Sequence, residues 1–293
     1  MKSESTIGFQ AALLSLTMWG LLPIYWKFLH HVPALEILSH RVFWSMVFVY
    51  IILITQGRKA ELSAAIHSRR TVAYMAVSSF LIGCNWFVYI WAVNHEKVLE
   101  TSMGYFISPM FNILFGYLFL REKVRGLMIP AVCIVLAAIF YLAFVYGHIP
   151  YAGLSLAVTF SLYGLVRKKA AVKPLPGLFL ETIMLTPLAL GYLITLGVNG
   201  TGVFLVSMSD SLMLAGGGIA TSLPLLLYVA GANRLRLGTL GTLQYISPTI
   251  AFMLGAFLYG EPLGRSMLVT FILIWFGVFL YLGQLFRDSR KMA

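Results

Sequence analysis

Three ionisable residues stand inside otherwise apolar runs: His40 and Arg41 side by side in one, and Glu181 alone in another. A charge in hydrocarbon is costly, so an ionisable group there marks a functional site by default. The planar fork of arginine matches a carboxylate, which makes Arg41 a candidate anchor for a substrate carboxylate. Two plainer readings compete with that one. Arg41 lies about six residues into its helix, close enough to snorkel to the interface, and Glu36 sits one turn away as an ion-pair partner. A histidine and a carboxylate can each carry a proton, so His40 and Glu181 are candidates for proton coupling.

Uncharged polar and aromatic residues form a second set. Asn85, Trp86 and Tyr89 fall within one helical turn. A buried amide must face the bundle or a wet cavity; it either binds solute or ties two helices together. Ser102, Tyr105, Pro109, Asn112 and Gly116 share one helix face, and Gly241, Gln244, Pro248, Ala251 and Gly255 repeat it later in the chain. From these sets Asn85, Trp86, Tyr89, Tyr105, Asn112 and Gln244 join Arg41 as substrate-binding candidates. Tyr163 completes the set on a weaker aromatic signal shared with Trp19 and Tyr25. Glu122 and Glu261 follow helices directly and are expected to serve the start of the next one, since a carboxylate opposes a helix C-terminus.

Catalytic constellations do not emerge. Neither His40 nor His95 belongs to a His-Glu-x-x-His zinc motif, and no Gly-x-Ser-x-Gly elbow occurs in the apolar runs. Cys84 and Cys133 have no paired spacing, so no metal, cofactor or disulfide is expected. An intramembrane enzyme and a sensor remain the rival classes, each lacking its signature: a reactive constellation and a soluble output domain.

These residues must be positioned by membrane helices. The chain has 293 residues, 60% of them hydrophobic and 11% charged, with mean hydropathy +0.88. A soluble domain carries about 25% charged residues. Ten apolar runs qualify as spans, at 8–28, 35–56, 72–93, 99–120, 127–146, 150–167, 177–197, 211–232, 239–260 and 265–286. The basic residues cluster in alternate loops, 17 of the 21 on one side. That asymmetry predicts a multi-pass protein of the cell inner (plasma) membrane with both termini cytoplasmic, and it explains the net charge of +11 without nucleic acid. No cleavable signal peptide is expected, because the first run contains Trp19 and Trp26 and further spans follow.

The two halves resemble each other. Residues 92–122 align without gaps onto 231–261, matching Asn94 to Asn233, Ile107-Ser108-Pro109 to Ile246-Ser247-Pro248, Gly116 to Gly255 and Glu122 to Glu261. Tyr89 falls on Tyr228 at the same offset, and His40 falls opposite Glu181 at a slightly larger one. Five spans per copy is odd, so the second copy enters the membrane inverted, an arrangement characteristic of transporters. The expected architecture is therefore an all-α membrane protein of ten transmembrane helices in two inverted five-helix repeats, 1–147 and 148–293.

Several motifs resemble the RarD-type permeases, of the EamA branch of the drug/metabolite transporter superfamily. They are Trp19-Gly20 with Pro23 and Lys27, Glu36 to Arg41, and Asn85-Trp86 with Trp91 to Asn94. Gly104-Tyr105-Phe106, Tyr163 to Lys169, Arg234 to Leu237 and Gln244-Tyr245-Ile246 complete the set. The resemblance covers nearly the whole chain. It implies secondary transport, usually outward, of small metabolites, amino acids or drugs. The expected partners are a small-molecule substrate, such as an amino acid or an amphipathic metabolite, and the lipid bilayer. This chain departs from the family in carrying Ser108 for an asparagine and Arg121 for a glycine. The second departure argues against a strict backbone requirement at 121.

Overall fold

Backbone crossing hydrocarbon must satisfy its own hydrogen bonds, and helices do so within one segment. The computed structural model describes residues 4–121, 124, 126–146, 149–232, 234–235 and 243–291, and contains no strand among them. Its helices are α1 (Glu4–Phe28), α2 (Ala34–Thr55), α3 (Lys59–Ile66), α4 (Arg69–Asn94), α5 (Val98–Leu120) and α6 (Met128–Tyr146). They continue with α7 (Tyr151–Ala170), α8 (Pro174–Asn199), α9 (Met208–Ala232), α10 (Ile246–Met253, extended by a π-turn Leu254–Leu258) and α11 (Arg265–Lys291).

Eight of these are long and apolar enough to cross a membrane, and Ile246–Leu258 is a shorter apolar helix. The remaining long helix, α7, carries Arg167, Lys168 and Lys169 in its last turn. Together these helices occupy the ten expected runs. Asn233, Arg236, Gly241 and the start of the ninth run lie outside the described residues. So do Glu122, Lys123 and Arg125. The additional helix, α3, has eight residues, too few to span and too few for a span search to register. It is tied down by Glu61, which accepts from Lys173 and Arg58 at 2.8 and 2.6 Å; the two cations hold its carboxyl below the usual carboxylate range.

The helices pair in a regular pattern. α2 packs on α8 and α9, α4 on α7 and α8, α5 on α7 and α10, α1 on α9 and α10, and α6 on α11. Exchanging α1, α2, α4, α5 and α6 with α7, α8, α9, α10 and α11 in order returns the same pairs. Small residues allow the closest approach. A Cβ on Gly104 of α5 would sit 2.5 Å from the carbonyl oxygen of Gly153 on α7, so backbone meets backbone there. Hydroxyls stitch neighbouring helices: Ser15 donates to the Pro224 carbonyl, Ser102 to the Pro248 carbonyl and Ser161 to the Ser108 carbonyl.

Two expectations about helix ends need correction. Glu261 does not serve α11, the next helix. Its two carboxylate oxygens accept the Val98 and Leu99 N–H groups at 2.7 and 2.8 Å, capping the start of α5 instead. That placement still obeys the macrodipole, since a helix N-terminus presents free N–H groups and favours negative charge. Arg121 caps the end of α5 at φ 56°, in the left-handed region. A backbone requirement therefore does exist at 121; glycine meets it freely and arginine at a cost of about 1–2 kcal/mol.

Candidate functional site

A cavity of about 330 Å³ opens inside the bundle, walled by α1, α2, α4 and α5 from the first half and by α7, α8, α9 and the start of α10 from the second. Arg41, Asn85, Trp86, Tyr89, Tyr105, Asn112, Tyr163 and Gln244 all line it. Residues drawn from five segments of the sequence thus meet around one space.

Arg41 is the single charged residue in the described wall. It is 5% exposed, so its guanidinium is buried among helices rather than snorkelling. It lies 4.4 Å from the centre of the Trp86 ring and 5.2 Å from that of Trp26, a double cation–π contact. The Glu36 pairing is not formed. Glu36 Oε1 accepts the Val203 N–H at 2.7 Å in the connection after α8, and Arg41 Nε and Nη1 have no hydrogen-bond partner.

Aromatic rings continue along one wall. Tyr89 contacts Tyr105 at 5.9 Å between ring centres, Tyr105 contacts Phe160 at 6.0 Å, and Phe160 contacts Tyr163 at 6.0 Å. Across the space Trp19 packs against Tyr228 at 5.5 Å, and the Gln244 amide donates to the Tyr228 hydroxyl. Asn85 has a structural duty as well. Its Nδ2 donates to the Leu156 carbonyl at 3.1 Å and to Thr159 Oγ1 at 2.9 Å, joining α4 to α7.

Glu181 and His40 stand away from the lining and apart from each other. Glu181 is 0% exposed. It accepts from Ser78 Oγ and from the Tyr163 hydroxyl at 3.3 Å, and Arg167 Nε lies 3.5 Å away. Glycine at 177 makes room for that arginine, because a Cβ there would lie 1.9 Å from Arg167 Nη1. His40 stacks on Phe204 at 4.6 Å, and neither ring nitrogen has a partner. Tyr25 donates to the Met213 carbonyl within an apolar cluster at one end of the bundle and does not line the cavity. Sequence reasoning missed Tyr228, Thr221, Phe160 and Tyr245 as wall residues. Tyr228 had a usable signal, its alignment with Tyr89, and Tyr245 stands in the Gln244-Tyr245-Ile246 motif; Thr221 and Phe160 carry none.

The profile of the EamA-like transporter family matches residues 6–144. Similarity to individual proteins extends much further. An uncharacterized transporter of Bacillus subtilis, YojE, is 44% identical over 95% of this chain and 94% of its own. Protein RarD of Escherichia coli is 40% identical over 98% of this chain and 97% of its own. The chain belongs to the RarD-type branch of the EamA-like transporters. Like the RarD-type proteins it is accordingly a multi-pass membrane transporter. A solved crystal structure superposes with a TM-score of 0.59 at 19% identity, covering 95% of this chain and 97% of the other. At that identity the likeness concerns the fold alone.

Proposed function

We propose that this protein is a secondary transporter that exports small metabolites, amino acids or drugs across the inner membrane by alternating access. Residues 1–147 and 148–293 act as two inverted five-helix repeats, and the cavity between them is the solute site. Arg41, Asn85, Trp86, Tyr89, Tyr105, Asn112, Tyr163 and Gln244 contact the solute, while Glu181 and His40 are the groups available to carry a proton. No catalytic chemistry is assigned. The observation that carries this reading is the cavity wall, built from four helices of each half. Inverted repeats place a site near the midplane and expose it to each side in turn by moving one half against the other.

The cavity is also asymmetric along the bundle. It runs from Leu22 and Tyr89 to Leu16, Tyr228 and the exposed Gln244, toward the end of the bundle that carries both termini. At the opposite end Trp26, Leu29, Val32 and Val98 form an apolar plug, Lys27 lies over the Tyr259 ring, and Glu261 holds α5. With the termini cytoplasmic, as the basic loops favour, this arrangement is the cytoplasm-facing state of the cycle.

Filling the cavity tests the reading. Asn112→Trp and Thr221→Trp should each lower counterflow in proteoliposomes by on the order of tenfold or more, with normal insertion, across a panel of amino acids and aromatic metabolites. Unaltered counterflow in both variants would place the solute path elsewhere.

A further inference from the structure

Taking the cavity as the solute site, we infer that the solute is a monoanion, a carboxylate on a flat aromatic or apolar body, and that cations are excluded. Among the described residues the wall contains one charged side chain, Arg41, and no aspartate, glutamate or lysine. The carboxylates nearby are occupied elsewhere. Glu181 lies behind Tyr163 with Arg167 at 3.5 Å, and Glu36, one turn from Arg41, turns to the Val203 amide. The field in the cavity is therefore positive. The first turn of α10 adds to it, since Ser247 and Pro248 border the space and a helix N-terminus is its positive end.

Arg41 also lacks what a buried guanidinium needs. Two tryptophan faces offset part of its lost hydration, but its Nε and Nη1 hydrogens have no acceptor in the protein. Leaving a buried charge uncompensated costs several kcal/mol. A ligand carboxylate supplies the missing negative charge, and charge-assisted hydrogen bonds to it are among the strongest available. The rest of the solute meets the ring series from Tyr89 to Tyr163, whose faces favour a flat apolar body. The volume, about 330 Å³, suits a small molecule of that kind.

Aromatic boxes often bind cations, so the opposite charge preference must be weighed. Here the Trp86 face is already taken by Arg41 itself. A second cation would meet like charge at low effective dielectric, where repulsion is several-fold stronger than in water. A zwitterion is intermediate: its carboxylate fits, but its ammonium finds only neutral oxygens, such as those of Asn112 and Gln244.

The test uses purified full-length protein in nanodiscs, read by intrinsic tryptophan fluorescence, with four probes that share one body: 3-phenylpropanoate, 3-phenylpropanamide, 3-phenylpropylamine and phenylalanine. The carboxylate should bind at least about tenfold more tightly than the amide or phenylalanine, and the amine should not bind. Arg41→Gln should bring carboxylate and amide to equal affinity, and Arg41→Lys should keep part of the difference. Should Arg41→Gln fail to fold, the wild-type series decides by itself. Amide, amine or phenylalanine binding as tightly as the carboxylate overturns the inference, as does carboxylate preference surviving in Arg41→Gln or no binding of any probe. Saturable counterflow of amines would overturn the charge assignment while leaving the transport reading intact. Tight carboxylate binding without counterflow of any solute would do the reverse.

Discussion

Tyr163 has the cavity on one side and Glu181 on the other. It lines the space and its hydroxyl donates to the Glu181 carboxylate at 3.3 Å, while Ser78 and Arg167 hold that carboxylate from α4 and α7. A proton taken up by Glu181 would loosen its tie to Arg167 and to the phenol, changing the wall that the solute touches. Glu181→Gln fixes the neutral form, so transport by that variant should lose its dependence on pH while insertion stays normal. His40→Ala provides the comparison, since His40 sits against Phe204 with no polar partner. A pH profile unchanged in both variants would assign the two residues to packing. The polar residues of the cavity were legible in the sequence because amides and an arginine are costly in hydrocarbon and stand out. The surroundings of Glu181 were not. Ser78 is an ordinary small residue of a membrane helix, and Arg167 belongs to a basic cluster that reads as an orientation signal.

At the level of elements, the tightest joint is α5 on α7, where Gly104 and Gly153 bring two backbones together. Gly104→Ala would push a methyl toward the Gly153 carbonyl and force the helices apart, an overpacking cost of about 1–3 kcal/mol. Gly191 in α8 is the control, because a Cβ there meets nothing within 4 Å. Thermal unfolding in detergent should show a lower Tm for Gly104→Ala and an equal or higher one for Gly191→Ala, alanine being the better helix former. Equal Tm loss in the two variants would contradict the close-packed joint. Helix positions were readable from hydropathy to within a few residues, because hydrocarbon thickness fixes the length of a span. What each helix end touches was not readable. Glu261 caps α5, more than 160 residues earlier in the chain, and local capping rules name only neighbouring helices. Arg121 shows the complementary limit: backbone at φ 56° tolerates a residue that sequence patterns advise against.

For the whole molecule, the pairs of packed helices map onto themselves when α1, α2, α4, α5 and α6 are exchanged in order with α7 to α11. The sequence repeat sets Ile-Ser-Pro, glycine and glutamate at matched spacing in the two halves. Hydropathy and repeats carry no information about which end of the cavity is sealed, since that depends on how the two halves are tilted. The central claim is that one shared cavity opens to each side of the membrane in turn. The most direct measurement places a single cysteine at Leu225, which lines the cavity, in a background with Cys84 and Cys133 replaced by alanine. An impermeant thiol reagent is then applied to each face of oriented proteoliposomes under a solute gradient. The account predicts modification from both faces, with the gradient shifting the balance between them. Modification from one face alone, whatever the gradient, would contradict it.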